Sequence, residues 1–259
     1  MTVKDLISYI LKRKGQGQAL NGDEGVLFGD PGAEIRGLLI TWMATVQALR
    51  EAARTGCNVV LCHESFYLVS PLQTGVAPQE MAWAPNRNRV SAAVAGGITV
   101  LRVHGSLDLI CIWDDFVAAL GIDNPTPGTG WNKVLPILET TVGALADRLK
   151  STFGLPRVRV AGDMDQRVRV AGFPWGGLGL DTNLSYLARC LELGADVLIA
   201  GECDEYGFTF AVDAGVPMIE TGHSLSENPG LRGFADRLHG DQPGLPVVFF
   251  PETRAFTYR

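Results

Sequence analysis

The sequence predicts an α/β protein built from two α/β domains whose sheets are covered by helices. Three observations point there. Short continuous apolar runs, such as Asn58–Cys62 and Asp196–Ala200, have the length and branched content of fully buried strands. They alternate with segments whose apolar residues recur at helical spacing. A length of 259 residues gives room for one large or two modest domains with substantial cores.

The elements follow in order. Residues 37–40 (GLLI) read as a strand, and 45–55 as a helix with Val46, Leu49 and Ala53 on its apolar face. Gly56 stops that helix, and Asn58–Cys62 is a buried strand that delivers His63 to its end. Ile98–Val103 is a strand delivering His104, and Leu109–Leu120 reads as a helix with Asp108 as its N-terminal cap. Residues 122–133 (IDNPTPGTGWNK) are dense in turn formers and read as a linker. A helix is expected over 134–150, then strands near 157–161 and 167–171. The glycine-rich loop 173–180 (FPWGGLGL) precedes a helix at 184–193. Strands follow at 196–200, 217–220 and 247–250, with an amphipathic segment at 231–238. The expected division is a first α/β part at 1–122, a linker and helix at 123–155, and a second α/β part at 156–259. Residues 56–64 (GCNVVLCHE) echo residues 194–202 (GADVLIAGE), which fits either an internal duplication or convergence on a common strand chemistry.

Composition narrows the function. A net charge of -6 leaves no basic excess for displacing counterions, so no nucleic-acid binding is expected. No run reaches the roughly 18 apolar residues of a membrane span, so no membrane association is expected. Five cysteines without a C-x-x-C pair suggest a reducing compartment. The first residues lack a long apolar signal region, so a cytoplasmic location is expected.

Three of the four histidines sit near a carboxylate at the end of a strand-like run: His63 with Glu64, His104 with Asp108, and His223 with Glu227. Imidazole and carboxylate form the ligand set of zinc, manganese and iron. Open α/β sheets place ligands beyond the carboxyl ends of their strands. The i, i+4 spacing puts His104 with Asp108, and His223 with Glu227, on one face of any helix. His63 and Glu64 are neighbours and diverge, which suits ligands for two ions, or one ligand and one base. Taken singly, each pair also fits a hydrogen-bonded structural histidine, a helix cap at Asp108, or a solvated charge at Glu227. Six ligands exceed the needs of one four-coordinate ion, so a two-metal site in the cleft between the domains is expected. Such ions activate water for attack on carbonyl, amidine or phosphoryl centres. Asp108 or Glu227 could bridge them, and Glu64 or Glu202 could shuttle protons. The loop 172–179 lacks the P-loop lysine and the dinucleotide fingerprint, and reads as a tight turn. Trp175 within it is a candidate stacking surface for a ring, and His239 is assigned to the surface.

The boxes taken together resemble the Nif-three-like family of dinuclear metal-centre hexameric proteins, often labelled type 2 GTP cyclohydrolase I. The resemblance rests on residues 23–34 (DEGVLFGDPGAE), on VVLCHE ending at Glu64, and on HGSLD at 104–108, with Ser106 in the usual asparagine position. It continues through 194–202 and the GHSLSE box at 222–227. It covers roughly residues 23–65, 98–120 and 167–250. It implies metal ligands at His63, Glu64, Asp108, His223 and Glu227, with His104 as a further pocket residue. It also implies two divalent ions per subunit (zinc, manganese or iron), a ring-shaped homohexamer, and a small-molecule substrate, possibly a nucleotide.

The departures are specific. Glu64 replaces a second histidine, residues 42–45 (WMAT) replace an acidic segment, and the region of Gly207 lacks a histidine. The leading expectation is a metal-dependent hydrolase acting on a nucleotide or heterocycle. The rival is a non-catalytic metal-binding regulatory or assembly protein.

Overall fold

A computed structural model describes residues 1–15, 17–69, 76–124, 133–252 and 256. Most of the expected linker, residues 125–132, lies outside them. The chain forms two compact units, residues 1–112 with 230–252, and residues 113–229 with 253–259.

In chain order the first unit holds α1 (Val3–Lys14), β1 (Gly25–Phe28), β2 (Leu38–Thr41), α2 (Val46–Arg54) and β3 (Val59–Cys62). It continues with α3 (Pro78–Met81), α4 (Ala84–Gly96), β4 (Thr99–Arg102), the single turn α5 (Gly105–Leu107) and a π-helical turn, Asp108–Ile112. The second unit holds α6 (Trp113–Ala119), β5 (Val134–Thr141), α7 (Val142–Phe153), β6 (Arg159–Ala161), β7 (Arg167–Gly172) and α8 (Leu184–Glu192). Then come β8 (Val197–Ala200), α9 (Glu205–Asp213) and β9 (Met218–Glu220). Helix α10 (His223–Asp241) begins in the second unit and ends in the first, and β10 (Val247–Phe250) closes the first sheet.

Each unit has one mixed five-stranded sheet, ordered β1-β4-β3-β2-β10 in the first and β5-β7-β8-β9-β6 in the second. In the first, β10, β2, β3 and β4 run parallel and β1 pairs antiparallel with β4. The central strands β2, β3 and β4 are buried at every position; β3 is apolar throughout, while β2 ends in Thr41 and β4 runs from Thr99 to Arg102. Thr45 caps α2 by accepting from the Ala48 N–H at 3.2 Å, and α2 packs Ala48, Leu49 and Ala52 into a core with Leu39, Val60, Phe66 and Val100.

In the second unit β7, β8 and β9 are parallel, with β5 and β6 antiparallel at the edges. The segments α2–β3 and α8–β8 repeat the order helix, strand, glutamate that the sequence echo outlines.

One element departs from the sequence reading. Residues 134–141 are a strand, and the helix begins only at Val142. Leu135 and Leu138 fit the apolar spacing of α7, but Leu138 is 83% exposed. Pairing with β7 prevails over that periodicity, with a register shift between Pro136 and Thr140. A proline is tolerated there because β5 is an edge strand. Thr141 then caps α7 by accepting from the Ala144 N–H.

Candidate metal centre

Register assembles the site in the first unit. Cys62 lies opposite Arg102 in the parallel β3–β4 pair, so His63 and His104 emerge at neighbouring strand ends. Their ring centroids stand 4.8 Å apart. Because β1 is antiparallel to β4, with Gly25 opposite Arg102, the residues just before β1 reach the same end. Asp23 and Glu24 therefore join the histidines.

His63 is fully buried. Its Nδ1–H donates to the Val103 carbonyl at 3.3 Å, and its Nε2 faces Asp108 Oδ1 at 3.8 Å. His104 donates from Nδ1 to Asp23 Oδ2 at 3.0 Å, and its Nε2 faces Glu64 Oε1 at 3.7 Å. Ligand atoms of His63, His104 and Asp108 all lie within 4.8 Å of one another.

Glu24 fixes the backbone here. Its carboxylate accepts from the His104 and Ser106 N–H groups at 2.8 and 2.7 Å and from the Ser106 hydroxyl at 2.5 Å. Asp108 is not the N-terminal cap that the sequence suggests. The helix starts earlier, at Gly105, and Asp108 opens the π-helical turn while its own N–H donates to the His104 carbonyl. The extra residue in such a turn redirects a side chain without ending the helix, and π-turns recur at functional sites.

The second unit builds a related arrangement at the ends of β8 and β9, where Ala200 lies opposite Glu220. Glu202 follows β8 and His223 starts α10. The His223 Nδ1–H donates to Glu202 Oε2 at 2.9 Å. Its Nε2 faces Glu227 Oε1, one helical turn on, at 3.5 Å. Glu227 is 3% exposed, which rules out a solvated surface charge.

The glycine-rich loop after β7 presses onto this pair. A Cβ at Gly176 would stand 2.1 Å from Glu227 Oε1, and one at Gly201 would stand 2.4 Å from the Gly176 N and O. Only glycines permit this approach. The Gly176 N–H donates to Ser226 Oγ at 3.0 Å and the Glu202 N–H to the Gly176 carbonyl at 2.7 Å.

Trp175 is no stacking surface: it is 3% exposed and packs edge-on against Trp113 and Tyr186. His239 lies on the exposed side of α10, as expected.

The seven expected site residues are divided in sequence between the two units. The first unit gathers His63, Glu64, His104 and Asp108, and the second gathers Glu202, His223 and Glu227. Sequence reasoning passed over Asp23, Glu24 and Arg102 as site residues. The available signal was an acidic pair directly ahead of an apolar strand.

The donor sets fit divalent metal ions. Each of the three histidines has Nδ1 held by a carbonyl or carboxylate, which makes Nε2 the candidate ligand atom. Each Nε2 faces a carboxylate oxygen at 3.5–3.8 Å. That exceeds a hydrogen bond. It is close to the separation of about 3.3 Å between two ligands set tetrahedrally about 2.0–2.1 Å from one ion.

The five cysteines form no disulfide and are buried. Burial pushes Cys62 and Cys203 up to about 12 and Cys190 up to about 11. The reactive thiolate is therefore suppressed. Native protein at pH 8 is expected to react slowly with a thiol reagent such as Ellman's, and denatured protein to release all five thiols at once. Prompt labelling of the native chain would contradict this packing. Because the unfolded thiols ionise near 9 while the folded ones keep their protons, stability should fall as pH rises above about 9.

The fold is that of an α/β protein with two mixed sheets, carrying three histidines each held at Nδ1 beyond strand ends. The chain is a member of the Duf34/NIF3 (NGG1p interacting factor 3) family, which it matches over residues 1–255. A Lactococcus lactis relative named GTP cyclohydrolase 1 type 2 homolog is 26% identical over 242 residues, covering 88% of each chain. A Clostridium acetobutylicum relative of the same name is 21% identical over 228 residues, covering 83% of this chain and 81% of the relative. The fold matches a Staphylococcus aureus hypothetical protein at a TM-score of 0.80 and 17% identity, over 100% of this chain and 99% of the other. It also matches a Bacillus cereus protein related to NIF3 at 0.80 and 16%, with the same coverage. Among the described residues, no helix is long and apolar enough to cross a membrane.

Proposed function

We propose that this chain binds two divalent metal ions and is a metal-dependent hydrolase acting on a nucleotide or heterocyclic substrate. The observation that carries the reading is the threefold pattern of Nδ1-anchored imidazoles, each with Nε2 set against a carboxylate. The relatives' name, GTP cyclohydrolase 1 type 2 homolog, supports the substrate class.

In this reading His63 and Asp108, with His104 and Glu64 beside them, hold one ion in the first unit. His223 and Glu227 hold another in the second. The chemistry such ions supply is the activation of water and the polarisation of carbonyl or phosphoryl oxygens. Val103, Asp23 and Glu202 fix the ring orientations of His63, His104 and His223. Glu202 keeps a half-exposed carboxylate that can exchange protons with solvent, and Glu64 is the corresponding acid–base group of the first unit. Assembly as a homohexamer in the cytoplasm belongs to the same proposal and is read by light scattering and fractionation.

The test is turnover of guanine nucleotides and related heterocycles by metal-loaded and chelator-treated protein. Chelator-sensitive hydrolysis is expected. Full metal loading without turnover of any substrate would sink the hydrolase and leave a metal-binding regulatory protein.

A further inference from the structure

The first unit concentrates four carboxylates, Asp23, Glu24, Glu64 and Asp108, around two imidazoles. Arg102, the last residue of β4, lies among them and is 8% exposed. Its Nη1 stands 3.0 Å from Asp23 Oδ2 and its Nη2 3.7 Å from Glu64 Oε2. Its Nε–H donates to the His63 carbonyl at 3.2 Å, and Nη1 to the Asp23 carbonyl at 3.3 Å. Asp23 and Glu64 in turn face the two nitrogens of His104. The four side chains therefore close a ring: Arg102, Asp23, His104, Glu64 and back to Arg102.

The ring has a physical consequence. Two carboxylates this sheltered are costly without a counter-charge. A guanidinium is planar, permanently charged and able to address two acceptors in fixed directions, which a lysine ammonium cannot do. We infer that Arg102 is a positioning residue and resident counter-cation of the first-unit metal site, holding Glu64 and Asp23 against His104 and supplying positive charge there before any ion arrives. It touches neither the proposed ion nor the substrate, and acts through Glu64 and Asp23. The inference rests on the metal-binding reading for its purpose, but the charge coupling exists without metal and is measured without it.

The experiment is a double-mutant cycle on chelator-treated protein, followed by addition of zinc or manganese alone. Arg102→Gln is expected to lower the metal-free Tm by about 10 °C, because it strands sheltered charge. Glu64→Gln in the same chain should recover about half of that loss, since one of the two stranded charges is gone. Arg102→Lys keeps the charge but loses the fork, and should fall between wild type and Arg102→Gln. It also serves as the folded comparison if Arg102→Gln does not fold. The Tm rise on adding metal should be larger in Arg102→Gln than in wild type, because the ion then supplies the missing charge.

Additive losses in the double variant would show that Arg102 only packs, and would overturn the inference. So would a metal-induced rise no larger than that of wild type. If wild type itself takes up no metal, the proposed function fails, while the metal-free cycle still decides whether Arg102 and Glu64 are coupled.

Discussion

Replacing His223 with alanine should remove about one divalent ion per chain and abolish hydrolysis, while the fold survives. His223 is held at Nδ1 by Glu202 at 2.9 Å, and its Nε2 faces Glu227 at 3.5 Å. The ligand and its orientation vanish together on truncation. The cost to the fold is bounded. His223 sits at the first position of α10, where alanine is a good helix former, and its side chain is 20% exposed. Removing a partner from the buried Glu227 costs about 1–3 kcal/mol. Elemental analysis read beside circular dichroism separates the two effects. A folded variant that keeps its full metal content would exclude His223 as a ligand. Glu227→Gln added to His223→Ala should lose little more metal, because both changes dismantle the same position.

Gly201→Ala should destabilise the second unit by about 3 kcal/mol or more and disturb the packing of the glycine loop on Glu227, although it adds only one methyl group. The new Cβ would stand 2.4 Å from both the N and the O of Gly176 and 2.7 Å from Ser226 Oγ. The first two are backbone atoms of a loop anchored to Ser226 and Glu202, so the clash cannot be relieved by turning a side chain. Relief requires lifting the glycine loop off Glu227. The Tm should fall by roughly 6–12 °C. Gly240→Ala is the control: it lies within α10 with nothing within 4 Å of its Cβ. It should be neutral or slightly stabilising. An unchanged Tm in Gly201→Ala would mean that the loop does not pack on the site as described.

The buried parallel strands were the legible part of the fold. Runs such as Val59–Cys62 and Val197–Ala200 are continuous in apolar residues because both faces of each strand are covered. The histidines were legible for the same reason, since a buried run that ends in a polar residue marks a strand end. Residues 134–141 were not legible as strand, because Leu135 and Leu138 continue the helical spacing of α7 and only pairing with β7 decides between the two. The return of residues 230–252 to the first unit was hidden inside a continuous helix, α10, which runs on through Pro229 and Gly230 at the crossing.

In the site, Asp23, Glu24 and Arg102 were not assigned as site residues because their roles depend on the antiparallel register of β1 against β4. The glycine-rich loop was visible as a turn. Its close approach to Glu227 became evident only from the space that a Cβ would occupy.

The central claim is that the anchored imidazoles hold metal. It is tested most directly by elemental mass spectrometry on protein purified without chelator or histidine tag. The account predicts about two divalent ions per chain. A content near zero, persisting after incubation with zinc, manganese or iron, would contradict it.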